Sequence, residues 1–481
     1  VIDALNEAIA LYSSQGDVSS NTINNTGAMF SQSDVGIWLA TDGSGATVSS
    51  NSISNSGTIE SDEEAIELNS DSGAVVGNSV SNSGTLYSGG NDAIYVYGDE
   101  GIISNSITNS GVIESDVYGA VNFNSDDANT VSNTIVNEAE GRFVANGTGV
   151  EFTTATGAIS GNTITNHGIF DVMDHGVMLS SYEGDITANV IENTGQILAD
   201  DGDRGIYFYT GEDGYANISG NSISNSGVIV AYDEAIELDT GGNVSGNTIV
   251  NSGSLSSVDD DAIYLQADED ITGNTITNSG LITSEDEDGI DVTAGYNASG
   301  NVILNTAEGV INTEDNAIVI EAAEGSATGN RITNAGALND ISEDSNWDDG
   351  NGIVIGAAAS NDDDAINGNV ITNTGSISAE NSGVLLYGGS EYNYGVGYAS
   401  IAADIVGNQI ENTGTISQEL GDASGELDTS DIFVDLPNVV ETTDAGIRLT
   451  AFTSGEDLRE ADQGVIFTSD LTTSVDDNTV T

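Results

Sequence analysis

The motif N-[S/T]-I-x-N-x-G-x-[I/L] recurs along almost the whole chain, and no other feature restricts the fold as much. It stands at Asn51–Ile59 and again from Asn78, Asn105, Asn162, Asn221, Asn247, Asn274 and Asn369. Looser copies start at Asn21, Asn133, Asn189, Asn301, Asn330 and Asn408. The first twelve copies are spaced 26 to 32 residues apart. Each is followed by a short third element of pattern [A/G]-[I/V]-x-[apolar], as in Ala65-Ile-Glu-Leu68, Ala93-Ile-Tyr-Val96, Gly205-Ile-Tyr-Phe208, Ala235-Ile-Glu-Leu238 and Gly289-Ile-Asp-Val292. All three pieces alternate with period two over a few residues, which is strand patterning, and Gly, Asn and Asp punctuate them. Three short strands per roughly 27 residues describe one coil of a parallel β-solenoid. A lone coil leaves its apolar face in water, so neighbours must stack.

Within N-x-I-x-N the two Asn and the Ile share one strand face. With Ile23, Ile53, Ile107, Ile164 and Ile276 pointing inward, the flanking Asn point inward too: Asn51 and Asn55, Asn78 and Asn82, Asn105 and Asn109, Asn162 and Asn166, Asn221 and Asn225, Asn274 and Asn278. Stacked at about 4.8 Å, their amides hydrogen-bond to the coils above and below as Asn ladders. Such ladders satisfy the requirement that buried amides find partners. The Gly after each second Asn (Gly57, Gly84, Gly111, Gly168, Gly227, Gly280) is expected to supply a turn conformation that β-carbons resist. The expected fold is all-β: a parallel β-helix of about 15 coils, three strands each, roughly 70–75 Å long at about 4.8 Å per coil.

Residues 1–416 read as regular repeats with insertions at 339–350 and 387–399. Residues 417–481 continue the solenoid around a long insertion at 417–443. Insertions in solenoids project as loops and often bind. Trp347, Tyr392, Tyr394, Tyr398 and Phe433 are the aromatics there that suit a protein or glycan contact. Val1–Leu11 aligns without gaps on Val228–Leu238, and Asn478-Thr-Val-Thr481 opens another motif copy. The two ends therefore share a phase. That suits either a segment of a longer solenoid or a head-to-tail homopolymer in which Val1 and Ile2 meet Asn478, Thr479, Val480 and Thr481 of the next copy.

The chain carries 78 Asp and Glu against 5 Arg, no Lys and no Cys, for a formal charge of −73. Phosphate recognition needs cations, so nucleic acids and anionic membranes are poor partners. Disulfides and thiolate metal sites are excluded. No apolar run is long enough for a transmembrane helix. Acids concentrate in the turn before the third strand: Asp62, Glu63 and Glu64, Asp233 and Glu234, Asp259, Asp260 and Asp261, Asp286 and Asp288. Stacking these turns makes a carboxylate column that suits Ca²⁺, which takes 6–8 oxygens, or else a solvated acidic edge. The outward Ser52, Ser54, Thr163 and Thr165 form a Ser/Thr stripe of ordinary β-favouring surface. Catalysis finds little support. His167 and His175 read as a turn and a surface histidine, Arg204 is one of five scattered arginines, and among 78 acids no carboxylate pair stands out.

The string G-N-T-I-T-N-x-G at Gly161–Gly168 and Gly273–Gly280, followed by D-[A/G]-I-Y-[L/V/F], resembles the repeats of bacterial autotransporter passengers and related surface β-helix proteins. The likeness runs from Val1 to about Ile416 and continues at Gly446-Ile-Arg-Leu449. It implies secretion, a right-handed helix, and adhesive or structural work at the cell surface. The expected function is that of an extracellular, non-enzymatic solenoid building a filament, sheath or surface layer. The alternatives are an adhesin passenger binding a host or glycan ligand through its late loops, and a carbohydrate-active β-helix enzyme.

Overall fold

In a computed structural model the chain is an all-β parallel β-helix of about 13 turns, with about 28 residues per turn and, among the described residues, no helices. The structure describes residues 1–199, 203–211, 215–341, 350–359, 364–379, 382–388, 401–402, 404–418, 447–451, 466–468, 475–476 and 479–480. Strands join four parallel columns rather than the expected three. One coil runs Ser52–Asn55, Thr58–Ser61, Ile66–Ser70 and then Ala74–Val76. The fourth strand escapes sequence patterning because it is too short to alternate, as at Val48–Ser49.

The coils form two compact units. One comprises Val1–Asn243, Asn247–Ile249 and Gly253–Leu255, the other Val244–Gly246, Val250–Ser252 and Ser256–Thr481. In the first unit the motif isoleucines stack in register, Ile23 on Ile53, Val80, Ile107, Ile135, Ile164, Ile191 and Ile223. In the second, Ile276 stacks on Ile303, Ile332, Ile371 and Ile410. Like-on-like stacking extends to aromatics: Phe123 on Phe152 at 4.8 Å and Phe143 on Phe170 at 4.7 Å between centroids. Strand register thus places identical side chains in identical pockets, and each added coil buries another set of aliphatics at about 25 cal/mol per Å².

The motif glycines do a different job from the one expected. None of Gly57, Gly84, Gly111, Gly168, Gly227 and Gly280 has a positive φ. Gly57, Gly84, Gly111, Gly168 and Gly227 are instead points of close approach: a β-carbon on Gly84 would lie 1.9 Å from the Gly57 carbonyl oxygen, and one on Gly57 1.9 Å from that of Gly27. The left-handed corner sits elsewhere, at the residue before the first Asn of each motif. There Gly77, Gly161 and Gly246 have φ of 63–64°, and Ser50, Ser104, Ser132 and Ala188 take 54–57°.

Val1 and Ile2 lie in or beside the strand Ile2–Ala4, which pairs with the Met29 coil, and Thr479–Val480 pairs with Gln409–Ile410. Asn478 and Thr481 lie outside the described residues, as do Trp347, Tyr392, Tyr394, Tyr398 and Phe433. The third strand Val384–Gly388 occupies the start of the insertion expected at 387–399. Tyr387 is buried there, its hydroxyl donating to Glu321 Oε1.

Candidate functional site

Two amide ladders run up the first column. In the outer ladder the main-chain N and Nδ2 of Asn51 both donate to Asn78 Oδ1, at 3.0 and 2.9 Å, and Nδ2 also reaches the Val18 carbonyl at 2.8 Å. The same bonds join Asn78 to Asn105 and Asn105 to Asn133. In the inner ladder Asn55 Nδ2 donates to Asn82 Oδ1 at 2.8 Å, and Asn82 to Asn109 at 2.8 Å. Asn162 and Asn166, Asn221 and Asn225, and in the second unit Asn274 and Asn278, occupy the same ladders. All twelve amides expected to face inward are buried.

The acidic turns are not one uniform edge. Asp62, Glu63, Asp259 and Asp286 are exposed, Glu64, Asp233, Asp260 and Asp288 are half-buried, and Glu234 and Asp261 are buried. Asp261 and Asp288 are the last acids of their turns. In the second unit these acids extend a ladder of their own: Asp288 N donates to Asp261 Oδ1 at 2.8 Å, Asn316 N to Asp288 Oδ1 at 2.7 Å, and Asn351 N to Asn316 Oδ1 at 3.1 Å. A carboxyl here stands where an amide stands further on, and burial, reinforced by Asp291, pushes Asp261 and Asp288 well above the usual carboxylate range. Among the described residues no group of three or more His, Asp or Glu is arranged to hold a metal ion.

In the first unit the outer face of the third strand gathers most of the unusual chemistry. Register aligns Trp38, Glu67, Tyr95, Asn122, Glu151, Met178, Tyr207 and Glu237 in one outward column. Beside it runs the turn column, where Gly176 N bonds Arg204 O and Gly205 N bonds Glu234 O. Arg204 is the centre of a network. Its Nε donates to Glu237 Oε2 and lies 2.9 Å from Glu234 Oε2, its Nη1 lies 3.6 Å from Asp203 and 3.7 Å from Asp233, and its guanidinium carbon sits 4.8 Å from the Tyr207 ring centroid. Burial opposes the Arg204 charge, but Glu237 and Glu234 outweigh it and hold the guanidinium ionised.

His175 is part of this network rather than the surface histidine expected. Its ring packs on Tyr207 at 5.1 Å and its Nδ1 accepts from the Arg204 main-chain N at 3.3 Å. Burial first and Arg204 second lower its pKa to about 4, so it is neutral. His167 stays in the turn, its Nδ1 2.7 Å from Thr194 Oγ1. Sequence reasoning missed the cluster because it took the five arginines one by one. The signal was present: aligning His175-Gly-Val-Met, Arg204-Gly-Ile-Tyr and Glu234-Ala-Ile-Glu puts His, Arg and Glu in one column.

With the geometry in hand, comparison adds no relative: no protein-family model matches the chain, and neither does any curated protein or solved structure.

Burial is the first cause of every raised carboxyl on this face. Glu67 and Asp92 rise to about 7, and Glu237, helped by Glu234 against the pull of Arg204, to about 8. In the second unit burial and Glu321 raise Asp291 to about 8. A carboxyl raised on folding favours the folded state below its unfolded pKa, and that contribution disappears as pH climbs through the folded value. His175, lowered on folding, works the other way between its ordinary 6.5 and about 4. These raised acids outweigh the one lowered base, so the melting temperature should be higher at about pH 5 than at about pH 8. A midpoint that rises between these two values contradicts this assignment.

Proposed function

We propose that the chain is an extracellular, non-enzymatic structural solenoid whose copies pair coil on coil into a filament, sheath or surface layer. The observation that supports this best is the shared polarity of the two Asn ladders of the first column. Each outer-ladder Asn donates from N and Nδ2 to the following coil and accepts at Oδ1 from the preceding one. A surface of donors and a surface of acceptors are complementary rather than identical, which suits head-to-tail association, and an unclosed head-to-tail contact grows into a fibre. Exposed strand edges are templates for this pairing. The charge of −73 discourages sideways clumping. Divalent cations such as Ca²⁺, gathered at the exposed Asp62, Asp259 and Asp286, would relieve that repulsion between neighbouring filaments.

The resemblance of the repeats to those of autotransporter passengers supports a cell-surface setting and leaves an adhesin as the second reading. One feature favours it: Tyr12, which is 48% exposed, stacks with Trp38 at 5.4 Å, and ring faces of this kind suit sugars of a surface glycan. Electron microscopy of the purified protein tests the first reading. Filaments that lengthen with protein concentration are expected, and particles that stay single at every concentration, with and without Ca²⁺, would reject it.

A further inference from the structure

An open hollow of about 490 Å³ lies on the outer face of the second strand in the first unit. That volume falls within the roughly 300–1,000 Å³ usual for small-molecule sites. The side chains on its wall that carry chemistry are Asp3, Phe30, Gln32, Glu60, Asp62 and Tyr87. Strand register brings them together. Phe30 pairs with Glu60 and Glu60 with Tyr87, from the strands Ala28–Ser31, Thr58–Ser61 and Thr85–Ser88. The two aromatic residues therefore stand two rungs apart, with Cα atoms about 9.6 Å from each other. Glu60 occupies the rung between them.

The walls are set before anything enters. The Tyr87 hydroxyl donates to Asp116 Oδ2 at 2.5 Å, and Gln32 Nε2 donates to Asp3 Oδ1 at 2.7 Å. Glu60 is exposed and, among the described residues, makes no hydrogen bond or ion pair through its carboxylate. Ring faces attract a cation within about 6 Å of their centroids. A group midway between these two rungs is about 4.8 Å from each. Glu60 supplies its counter-charge, exposed Asp3 and Asp62 add to it at the rim, and a chain of charge −73 gathers cations there. Rings discriminate among cations by hydration. A bare ammonium keeps its water, whereas a methylated ammonium is bulky, weakly hydrated and presents CH groups to both faces.

We propose that this hollow binds a trimethylammonium group, seated between Phe30 and Tyr87 over the Glu60 carboxylate. The two rings choose the methylated head and the acid fixes its sign, so neither a metal ion nor a neutral ligand of the same shape fits as well. The hollow faces sideways from the second strand, and the filament reading stands or falls without it.

Titration of the folded protein with choline, followed by saturation-transfer NMR at physiological ionic strength, tests it. Choline should bind about tenfold more tightly than ethanolamine, its unmethylated counterpart, and about tenfold more tightly than dimethylbutanol, its uncharged isostere. Phe30→Leu and Tyr87→Leu should each weaken choline about fivefold, and Glu60→Gln about tenfold. Glu192→Gln, at an exposed position on the first strand, removes the same charge as Glu60→Gln and should change little. Should one leucine variant fail to fold, the other and Glu60→Gln still decide the matter. A trimethyl-lysine peptide carries the same head group: binding tighter than choline names a protein as its source, and weaker binding a free small molecule. Equal binding of choline and ethanolamine, or equal losses in Glu60→Gln and Glu192→Gln, would overturn the proposal in favour of diffuse attraction to an acidic surface. Choline affinity unchanged by either leucine, or displacement of choline by cellobiose at equal concentration, would overturn it as well.

Discussion

Asn82→Leu should cost about 3–5 kcal/mol of stability, read as a fall in the urea midpoint, although leucine nearly matches asparagine in shape. Asn82 Nδ2 donates to Asn109 Oδ1 at 2.8 Å, to the Val112 carbonyl at 3.0 Å and to the Gly84 carbonyl at 3.2 Å. Its Oδ1 accepts from Asn55 Nδ2 at 2.8 Å and from Gly84 N at 3.2 Å. The side chain is 1% exposed, so water does not replace what leucine removes. Leucine gains apolar burial worth about 2 kcal/mol, but groups on three coils lose partners at about 1–3 kcal/mol for each one left unsatisfied. Ser81, next to it and pointing outward, is the control: Ser81→Ala should shift stability by less than about 0.5 kcal/mol. Equal effects at the two positions would mean that the ladder does not stabilise the coil.

Gly84→Ala should be worse, about 4 kcal/mol or more, or yield no folded protein, because its β-carbon would meet the Gly57 carbonyl oxygen at 1.9 Å. Backbone carbonyls cannot turn aside as a side chain does, and Gly57 is wedged against Gly27 in the same way. Gly246→Ala makes the informative contrast. Its φ is +63°, yet nothing lies within 4 Å of the added carbon. The cost should be only the left-handed strain of about 1–2 kcal/mol. Ala188 already adopts φ of 54° at the equivalent corner, so the chain accepts a β-carbon there. Denaturation of the two variants side by side checks the ranking; a larger loss at Gly246 would contradict the close-approach account.

The ladders were legible in the sequence because one physical constraint repeats in every coil: an inward amide at a fixed offset from an inward isoleucine. What governs a glycine was not legible. A Gly at a constant position marks either a positive φ or a close approach, and residues alone do not separate these. The true left-handed corner was hidden because Ser50, Ser132 and Ala188 interrupt its glycine pattern. The fourth strand was missed since two residues such as Val48–Ser49 carry no period. The outer face of the third strand was missed for another reason. Arg204, His175 and Glu237 are distant in sequence and acquire meaning only when the coils are stacked in register. Pairs such as Met178 against Tyr207 vary from coil to coil, so no motif announces them.

Because the chain contains no cysteine, introduced pairs of cysteines report strand register without background. Ser79 and Ser106 are in-register partners on neighbouring coils, about 4.8 Å apart and inside the roughly 4.4–6.8 Å between Cα atoms that a disulfide spans. Ser79 and Thr108 are offset by two residues, which places them about 8 Å apart, beyond that span. Under mild oxidation the Ser79→Cys, Ser106→Cys protein should close an intramolecular disulfide readily and the Ser79→Cys, Thr108→Cys protein should not. Equal closure of both pairs, or faster closure of the offset pair, would contradict a stack of parallel coils in this register.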